Sequence, residues 1–147
     1  MKRILICIAS LAMILSCEKE KQIVINEDSI SGFWEITSMA WEEIEGGKIT
    51  SSEDIKHEDT TIIIDINTNG TISSKATDVE TGSEARLSEG TWSLSNNKLT
   101  ITETFPEEGL TYDCEIKNLT NNTMDIIEYL YMEDDYAETR RLSCKRR

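Results

Sequence analysis

Histidine is scarce in this sequence and closely spaced cysteines are lacking, which excludes the common zinc sites. The only histidine, His57, cannot form a zinc site alone, and no two cysteines stand at ligand spacing. There is no Gly-x-Ser-x-Gly motif, no phosphate-binding loop and no nucleophile beside a base. Acidic pairs are common because acids are plentiful, so they do not identify a general acid and base. We therefore predict that the protein is not an enzyme and holds no metal or cofactor.

Basic side chains are also few. The chain has 15 Lys and Arg against 28 Asp and Glu, which gives a formal net charge of −13. Binding to nucleic acid is driven by Lys and Arg that neutralise phosphates, so this balance excludes a nucleic-acid partner. The same balance excludes a basic patch attracted to an anionic membrane surface.

Only one apolar run is long. It covers residues 4–15 and is shorter than the roughly 20 residues that cross a bilayer. Lys2 and Arg3 precede it and the small Ser16 follows it, which is typical of a cleaved secretory signal. The tetrad Ile14-Leu15-Ser16-Cys17 resembles the bacterial lipobox, in which the cysteine is acylated, with chains such as palmitate, and becomes the first residue. Cys17 is therefore the predicted lipidation site.

These features divide the chain into three parts. Residues 1–16 are predicted to be a cleaved lipoprotein signal peptide, residues 17–30 a lipidated tether, and residues 31–147 one domain. Cleavage removes Lys2 and Arg3, which leaves 13 basic against 28 acidic side chains and a formal charge of −15. We expect a lipid-anchored protein of the bacterial cell envelope, at the outer membrane. Whether it faces the periplasm or the cell surface stays open, as does the identity of any protein partner.

Beyond Ser31 the apolar residues follow a period of two, with turn signals at short intervals, which predicts strands. The single Pro106 lies between two strand candidates, where it leaves the hydrogen-bond ladders intact. Closure of such a sheet removes its exposed edges, so the sequence predicts an all-β, eight-stranded antiparallel up-and-down barrel. Residues 42–58 are the least patterned and are expected to be a long loop or a short helix over one mouth. The predicted strands cover residues 33–44, 60–67, 70–77, 87–94, 98–105, 110–117, 123–132 and 136–144.

Turn positions predict the pairing of neighbouring strands. A turn at Asn96-Asn97 places Leu94 opposite Leu99 and Trp92 opposite Ile101, so that apolar residues share one face. A turn at Asn121-Asn122 places Cys114 opposite Tyr129, Ile116 opposite Ile127 and Tyr112 opposite Tyr131. The other face of that last strand would carry Met124, Ile126, Leu130 and Met132. We expect residues 23–25, a loop helix or a partner to cover it.

Several stretches together resemble a known family. Gly32-Phe33-Trp34 resembles the Gly-x-Trp motif of the lipocalins, and "EGTWSLSNNKLTIT", "IKNLTNNTMDI" and "AETRRLSC" resemble lipocalin-like domains of small Bacteroidetes lipoproteins. The resemblance implies a lipocalin-like barrel with Trp34 at its closed end. It also implies that Arg140 or Arg141 packs across the Trp34 ring in a structural role, a contact worth about 0.5–2 kcal/mol.

Two cysteines remain once Cys7 leaves with the signal and Cys17 is acylated. The predicted pairing puts Cys114 and Cys144 about 16 Å apart, whereas a disulfide needs α-carbons within about 7 Å. We expect buried thiols, with a bridge as the less favoured alternative. Residues 65–70, Asp-Ile-Asn-Thr-Asn-Gly, match the first half of a calcium loop, but Ala76 stands where the bidentate Glu is required. A hairpin turn is therefore the favoured interpretation.

Two functions follow from a lipocalin-like barrel. The first is the binding of a small hydrophobic ligand, since an eight-stranded barrel has room for one. The candidate ligand-binding residues are Trp34, Trp92, Tyr112, Tyr129 and Tyr131. The alternative is an interaction or structural protein of the envelope, with a barrel filled by its own side chains. A cavity of roughly 300 Å³ or more would favour the first.

Overall fold

The computed structural model describes residues 20–55 and 59–147, so the predicted signal peptide, Cys17 and His57 lie outside the described residues. The described part holds one short helix and nine strands, and all strand pairs are antiparallel. The elements are α1 Glu27–Ile30, β1 Gly32–Glu45, β2 Lys48–Ile55, β3 Thr60–Ile66, β4 Thr71–Asp78, β5 Glu84–Ser95, β6 Lys98–Phe105, β7 Thr111–Lys117, β8 Thr123–Glu133 and β9 Tyr136–Arg146.

The sheet closes because the first strand pairs with the last. β1 pairs with β9 from Trp34 opposite Arg146 to Glu45 opposite Tyr136. On its other edge β1 pairs first with β3 and then, from Met39 onward, with β2. Eight strands therefore form the barrel, and β2 lies outside the ring as the hairpin partner of β1. The prediction of an all-β, eight-stranded antiparallel barrel is confirmed.

The prediction of a long loop or a short helix at residues 42–58 is wrong. β1 continues to Glu45, and β2 returns after a turn at Gly46 and Gly47. Both glycines have positive φ, 57° and 75°, as a tight hairpin turn requires. β2 shows no alternation of apolar and polar residues because it is exposed along nearly its whole length. The sequence pattern of a half-buried strand is therefore missing there.

The β5–β6 hairpin has the predicted register. Leu94 lies opposite Leu99, and Trp92 lies opposite Ile101. Of these four residues, Trp92, Leu99 and Ile101 are buried, and Leu94 packs against the same core. The turn expected in residues 65–70 is also present, since Asn67 and Gly70 close it with a backbone hydrogen bond of 3.0 Å.

The predicted β7–β8 register is wrong by one residue. Cys114 lies opposite Glu128 and Ile116 opposite Ile126, and the pairing ends before Tyr112 reaches a partner. The two-residue turn does not form because the loop from 118 to 122 carries a buried Leu119 into the closed end of the barrel. A shift of one residue moves every side chain of β8 to the opposite face. Met124 and Ile126 therefore point inward, and Ile127 and Tyr129 outward.

The closed end of the barrel is built around Trp34. The Trp34 ring is fully buried, and its indole N–H donates to the carbonyl of Ile30 at 2.7 Å. The guanidinium of Arg146 lies over the ring, 4.1 Å from its centroid, and donates to the carbonyls of Ser29 and Ser31. Gly32 is required beside it, because its φ is +129° and a Cβ would lie 2.8 Å from Arg146 Nη1.

The prediction that Arg140 or Arg141 packs across the Trp34 ring is wrong. β9 extends beyond the predicted strand, and its register places Arg146 opposite Trp34. Arg140 lies six residues earlier and pairs with Glu128, while Arg141 pairs with Glu42 at 2.8 Å. The predicted contact exists, but the resemblance assigned it to the wrong arginine.

The segment before α1 is docked on the closed end. The Ile23 N–H donates to the carbonyl of Leu119 at 2.9 Å. The Glu20 carboxylate accepts hydrogen bonds from Thr120 at 2.6 Å and from Asn122 at 2.7 Å. Ile23 and Ile25 pack against the core, so this segment helps to seal the barrel rather than covering the outer face of β8.

A candidate ligand cavity

Four neighbouring strands share one inward pattern. From the closed end upward, β6 and β8 each bury two apolar side chains and then a carboxylate, Glu103 and Glu128 respectively. β7 and β9 place Tyr112 and Arg140 at the corresponding third inward position. Because inward residues recur every second position, all four side chains point into the barrel. Together they form a polar belt, defined as Glu103, Tyr112, Glu128 and Arg140.

The polar belt lies in the wall of a cavity inside the barrel. Its volume is about 410 Å³, within the range of about 300–1,000 Å³ typical of small-molecule sites. Apart from the belt, Pro106 and two serines, the side chains that line the cavity are aliphatic, except for the thioether of Met39. The apolar lining residues are Ile36, Met39, Ile62, Ile64, Ile72, Leu87, Leu99, Ile101, Ile126 and Leu142.

Hydrogen bonds hold the belt in two pairs. The Tyr112 hydroxyl donates to Glu103 Oε1 at 3.1 Å, and Arg140 Nε donates to Glu128 Oε2 at 2.5 Å. Burial, followed by the charge of Glu103, raises the pKa of Tyr112 above its usual value, so the hydroxyl remains a donor. The arrangement can therefore position a polar group of a ligand, and it offers no activated nucleophile.

Only one of the five candidate ligand-binding residues lines this cavity, namely Tyr112. Trp34 and Trp92 are buried below it as part of the core. The Trp92 indole N–H donates to the carbonyls of Asn67 and Thr71 at 3.0 and 3.1 Å, so this ring fastens the β3–β4 turn.

Tyr129 and Tyr131 lie instead on an outer groove of about 780 Å³, which Tyr112 also borders. The Tyr129 hydroxyl donates to Glu115 at 2.9 Å, and the Tyr131 hydroxyl donates to Glu133. The groove forms where β8 continues past the end of its pairing with β7. Leu130 and Met132, exposed by 45% and 67%, complete its apolar rim.

Cys114 and Cys144 are buried free thiols, in agreement with the favoured prediction. Each thiol lies on an inward position: Cys114 is opposite Glu128, and Cys144 is opposite Met124. Within residues 20–55 and 59–147, no group of His, Cys, Asp and Glu side chains converges in a way that could hold a metal ion. The same residues include no helix long and apolar enough to cross a bilayer.

Glu103 and Glu128 are not among the residues that the sequence predicts for the site, and Arg140 is predicted only for a structural contact with Trp34, although a signal is present. In β6 the inward series Leu99, Ile101, Glu103 places an acid at a position where the period of two predicts a core residue. An acid at such a position is costly unless it is paired or functional. The same argument applies to Glu128 after Met124 and Ile126.

A family model and one solved structure support the architecture. A family model described as a lipocalin-like domain matches residues 30–126. The crystal structure of an uncharacterized protein from Bacteroides eggerthii matches with a TM-score of 0.50 and 11% identity, covering 80% of this chain and 98% of that one. A lipocalin-like protein from Bacteroides uniformis matches with a TM-score of 0.49 and 10% identity, over 81% and 99% of the two chains. No curated protein matches the sequence.

Proposed function

Because the chain belongs to the family of lipocalin-like domains, we propose that it binds a small apolar molecule inside the barrel. The observation that carries this proposal is the cavity of about 410 Å³, which is lined mainly by aliphatic side chains. Such a cavity gains free energy by taking up apolar surface, at about 25 cal/mol per Å² removed from water. A barrel filled by its own side chains would leave no such space, so the purely structural alternative is not favoured.

A neutral dye that fluoresces in apolar surroundings tests this function. Ser88 lines the cavity from β5, and Ser93 is exposed on the same strand. We expect wild type and Ser93→Phe to bind the dye, and Ser88→Phe to lose it because the ring occupies the cavity. Circular dichroism checks that both variants fold. Equal binding by Ser88→Phe would place the dye elsewhere, with the outer groove as the first candidate.

We also propose that a lipid on Cys17 anchors the domain to a bacterial membrane, the outer membrane being the expected one. The support is the sequence, in which a signal-like apolar run ends at the lipobox-like tetrad. One acyl chain gives only marginal membrane binding, so stable attachment needs more than one. Mass spectrometry of the N-terminal peptide should show an acylated Cys17, and Cys17→Ala should move the protein from the membrane to the soluble fraction. Membrane retention of Cys17→Ala would contradict the anchor.

A further inference from the structure

The charges of the cavity do not cancel. Its lining includes two carboxylates, Glu103 and Glu128, and a single cation, Arg140. Arg140 is already engaged, because its Nε donates to Glu128 at 2.5 Å. Among residues 20–55 and 59–147, Glu103 joins no salt bridge. The cavity therefore keeps one negative charge without a partner, and this charge lies at Glu103.

Glu103 is placed where an uncompensated charge is costly. Its residue is only 9% exposed. Oε1 accepts the Tyr112 hydroxyl at 3.1 Å, whereas Oε2 receives no hydrogen bond from the described residues and stays accessible, since every fully buried side-chain oxygen among them has a partner. A buried carboxylate requires opposite charge and further hydrogen bonds to offset the loss of water. Glu103 has one neutral hydroxyl as partner and no cation among the described residues, so its accessible Oε2 can receive a cationic group of a ligand.

We propose that the ligand of this cavity is a small amphiphile with a cationic head, an amine or quaternary ammonium group placed against Glu103, and an apolar tail among the aliphatic side chains below. This inference rests on the proposed function and names the class of its ligand. The Tyr112 ring beside Glu103 can add a cation–π contact. The formal charge of −13 favours the approach of cations over anions.

The size of the cavity limits the ligand. In a liquid, each water-sized group occupies roughly 30 Å³. A cavity of about 410 Å³ therefore admits about a dozen non-hydrogen atoms. An octyl chain with a small head group has this size. An anionic head is disfavoured, because the two carboxylates of Glu103 and Glu128 would lie near it against the single cation Arg140.

Three ligands that share an eight-carbon chain distinguish this inference from the proposed function. Octyltrimethylammonium, octanol and octanoate are compared as competitors of the neutral dye, below the concentrations at which they form micelles. We expect the cation to bind at least about tenfold more tightly than octanol, which corresponds to about 1.4 kcal/mol, and octanoate to bind most weakly. If octanol displaces the dye and the cation is no tighter, this inference is overturned while the proposed function stands. If none of the three displaces a cavity-bound dye, both fail.

Glu103→Gln tests the assigned position. The amide has almost the same shape as the carboxylate but no charge, so the preference for octyltrimethylammonium over octanol should fall to within about twofold. The matched control is Glu107→Gln, which removes one negative charge at an exposed position near the mouth. Equal loss of preference in both variants would assign the effect to net charge and overturn the inference. If Glu103→Gln fails to fold, the ranking of the three ligands on the wild-type protein still shows whether the cavity prefers a cationic head.

Discussion

At the scale of single residues, Arg146 connects more parts of the closed end than any side chain discussed above. Its guanidinium stacks on Trp34 and donates to the backbone carbonyls of Ser29, Ser31 and Asn121 at 2.6–2.9 Å. It thereby ties β9 to the end of α1 and to the β7–β8 loop. Hydrogen bonds from a charged donor contribute about 1.5–3 kcal/mol each, although contributions within one network are not additive.

We therefore predict that Arg146→Met lowers the free energy of unfolding by about 2–4 kcal/mol, because three carbonyls lose their donor while the aliphatic packing is kept. Urea denaturation followed by tryptophan fluorescence measures the change. The matched control is Arg147→Met, whose exposed pair with Glu35 should contribute less than about 1 kcal/mol. Similar losses in both variants would mean that the stacked arginine has no special role.

The two buried thiols predict a dependence of stability on pH. Burial raises the pKa of Cys144 to about 12, and burial likewise raises the pKa of Cys114. In the unfolded chain both thiols have the ordinary pKa of about 8.5. Their contribution to stability is therefore complete below that pH and is lost as the pH rises toward the folded-state values.

We expect the urea midpoint to fall between about pH 8 and about pH 10, with each thiol contributing up to about 1.4 kcal/mol per pH unit above its unfolded pKa. The double variant Cys114→Ala/Cys144→Ala should be less stable at neutral pH because it leaves cavities, yet its midpoint should depend less on pH. An unchanged slope in the double variant would assign the alkaline loss to other groups, of which Tyr112 is the nearest in the core.

At the scale of strands, the β5–β6 pair depends on a glycine at its bulge. The register shifts between Glu89 and Gly90. A Cβ at Gly90 would lie 2.4 Å from the Thr102 carbonyl oxygen and 3.1 Å from the Glu103 Cα. Both obstacles are backbone atoms, so they cannot move without displacing β6 and the Glu103 side chain it carries.

Gly90→Ala is expected to lower the free energy of unfolding by about 1–3 kcal/mol, as overpacking typically does. It should also weaken dye binding, because β6 forms one wall of the cavity. The measurements are urea denaturation and dye titration. Ser93→Ala, on the exposed face of the same strand, should stay within about 0.5 kcal/mol of wild type. Wild-type stability of Gly90→Ala would show that the two strands separate easily at the bulge.

Strands with one buried face were predictable from the sequence, and their registers were predictable only where the turn is short. Alternation identified β6 at its observed bounds, and the Asn96-Asn97 turn fixed its partner. The β7–β8 register failed because the loop after Lys117 is longer than two residues: Asn118, with φ of 50°, begins it and Leu119 turns into the core. Asparagine-rich sequence indicates a turn but not its length.

The candidate site was less predictable than the fold. Aromatic residues were favoured as lining, yet only Tyr112 reaches the cavity. Tyr129 was placed on the wrong face by the one-residue error in register. The polar belt follows from the third inward position of four strands, and that position can be located only when the strands are aligned at their common closed end. The site is therefore identified by the alignment of the four strands, and no single strand identifies it.

At the scale of the whole molecule, the docked N-terminal segment sets the geometry of the proposed anchor. Glu20 is bound to Thr120 and Asn122 at the closed end. Cys17 precedes it by three residues, and three residues of chain reach at most about 11 Å. A lipid on Cys17 would therefore hold the closed end next to the membrane. The mouth, where Glu107 and Glu108 lie in the β6–β7 loop, would face away from it.

This geometry predicts different membrane proximity for two exposed positions, Asn121 at the closed end and Glu107 at the mouth. Each is changed to cysteine and labelled with a fluorophore in the lipidated protein, since the buried Cys114 and Cys144 are protected from labelling. In vesicles containing nitroxide-bearing lipids, the label at Asn121→Cys should be quenched and the label at Glu107→Cys should stay bright. The reverse pattern would mean that the N-terminal segment leaves its docking site when the lipid inserts. A ligand would then enter from the bilayer side, whereas the docked geometry requires it to arrive from the aqueous side.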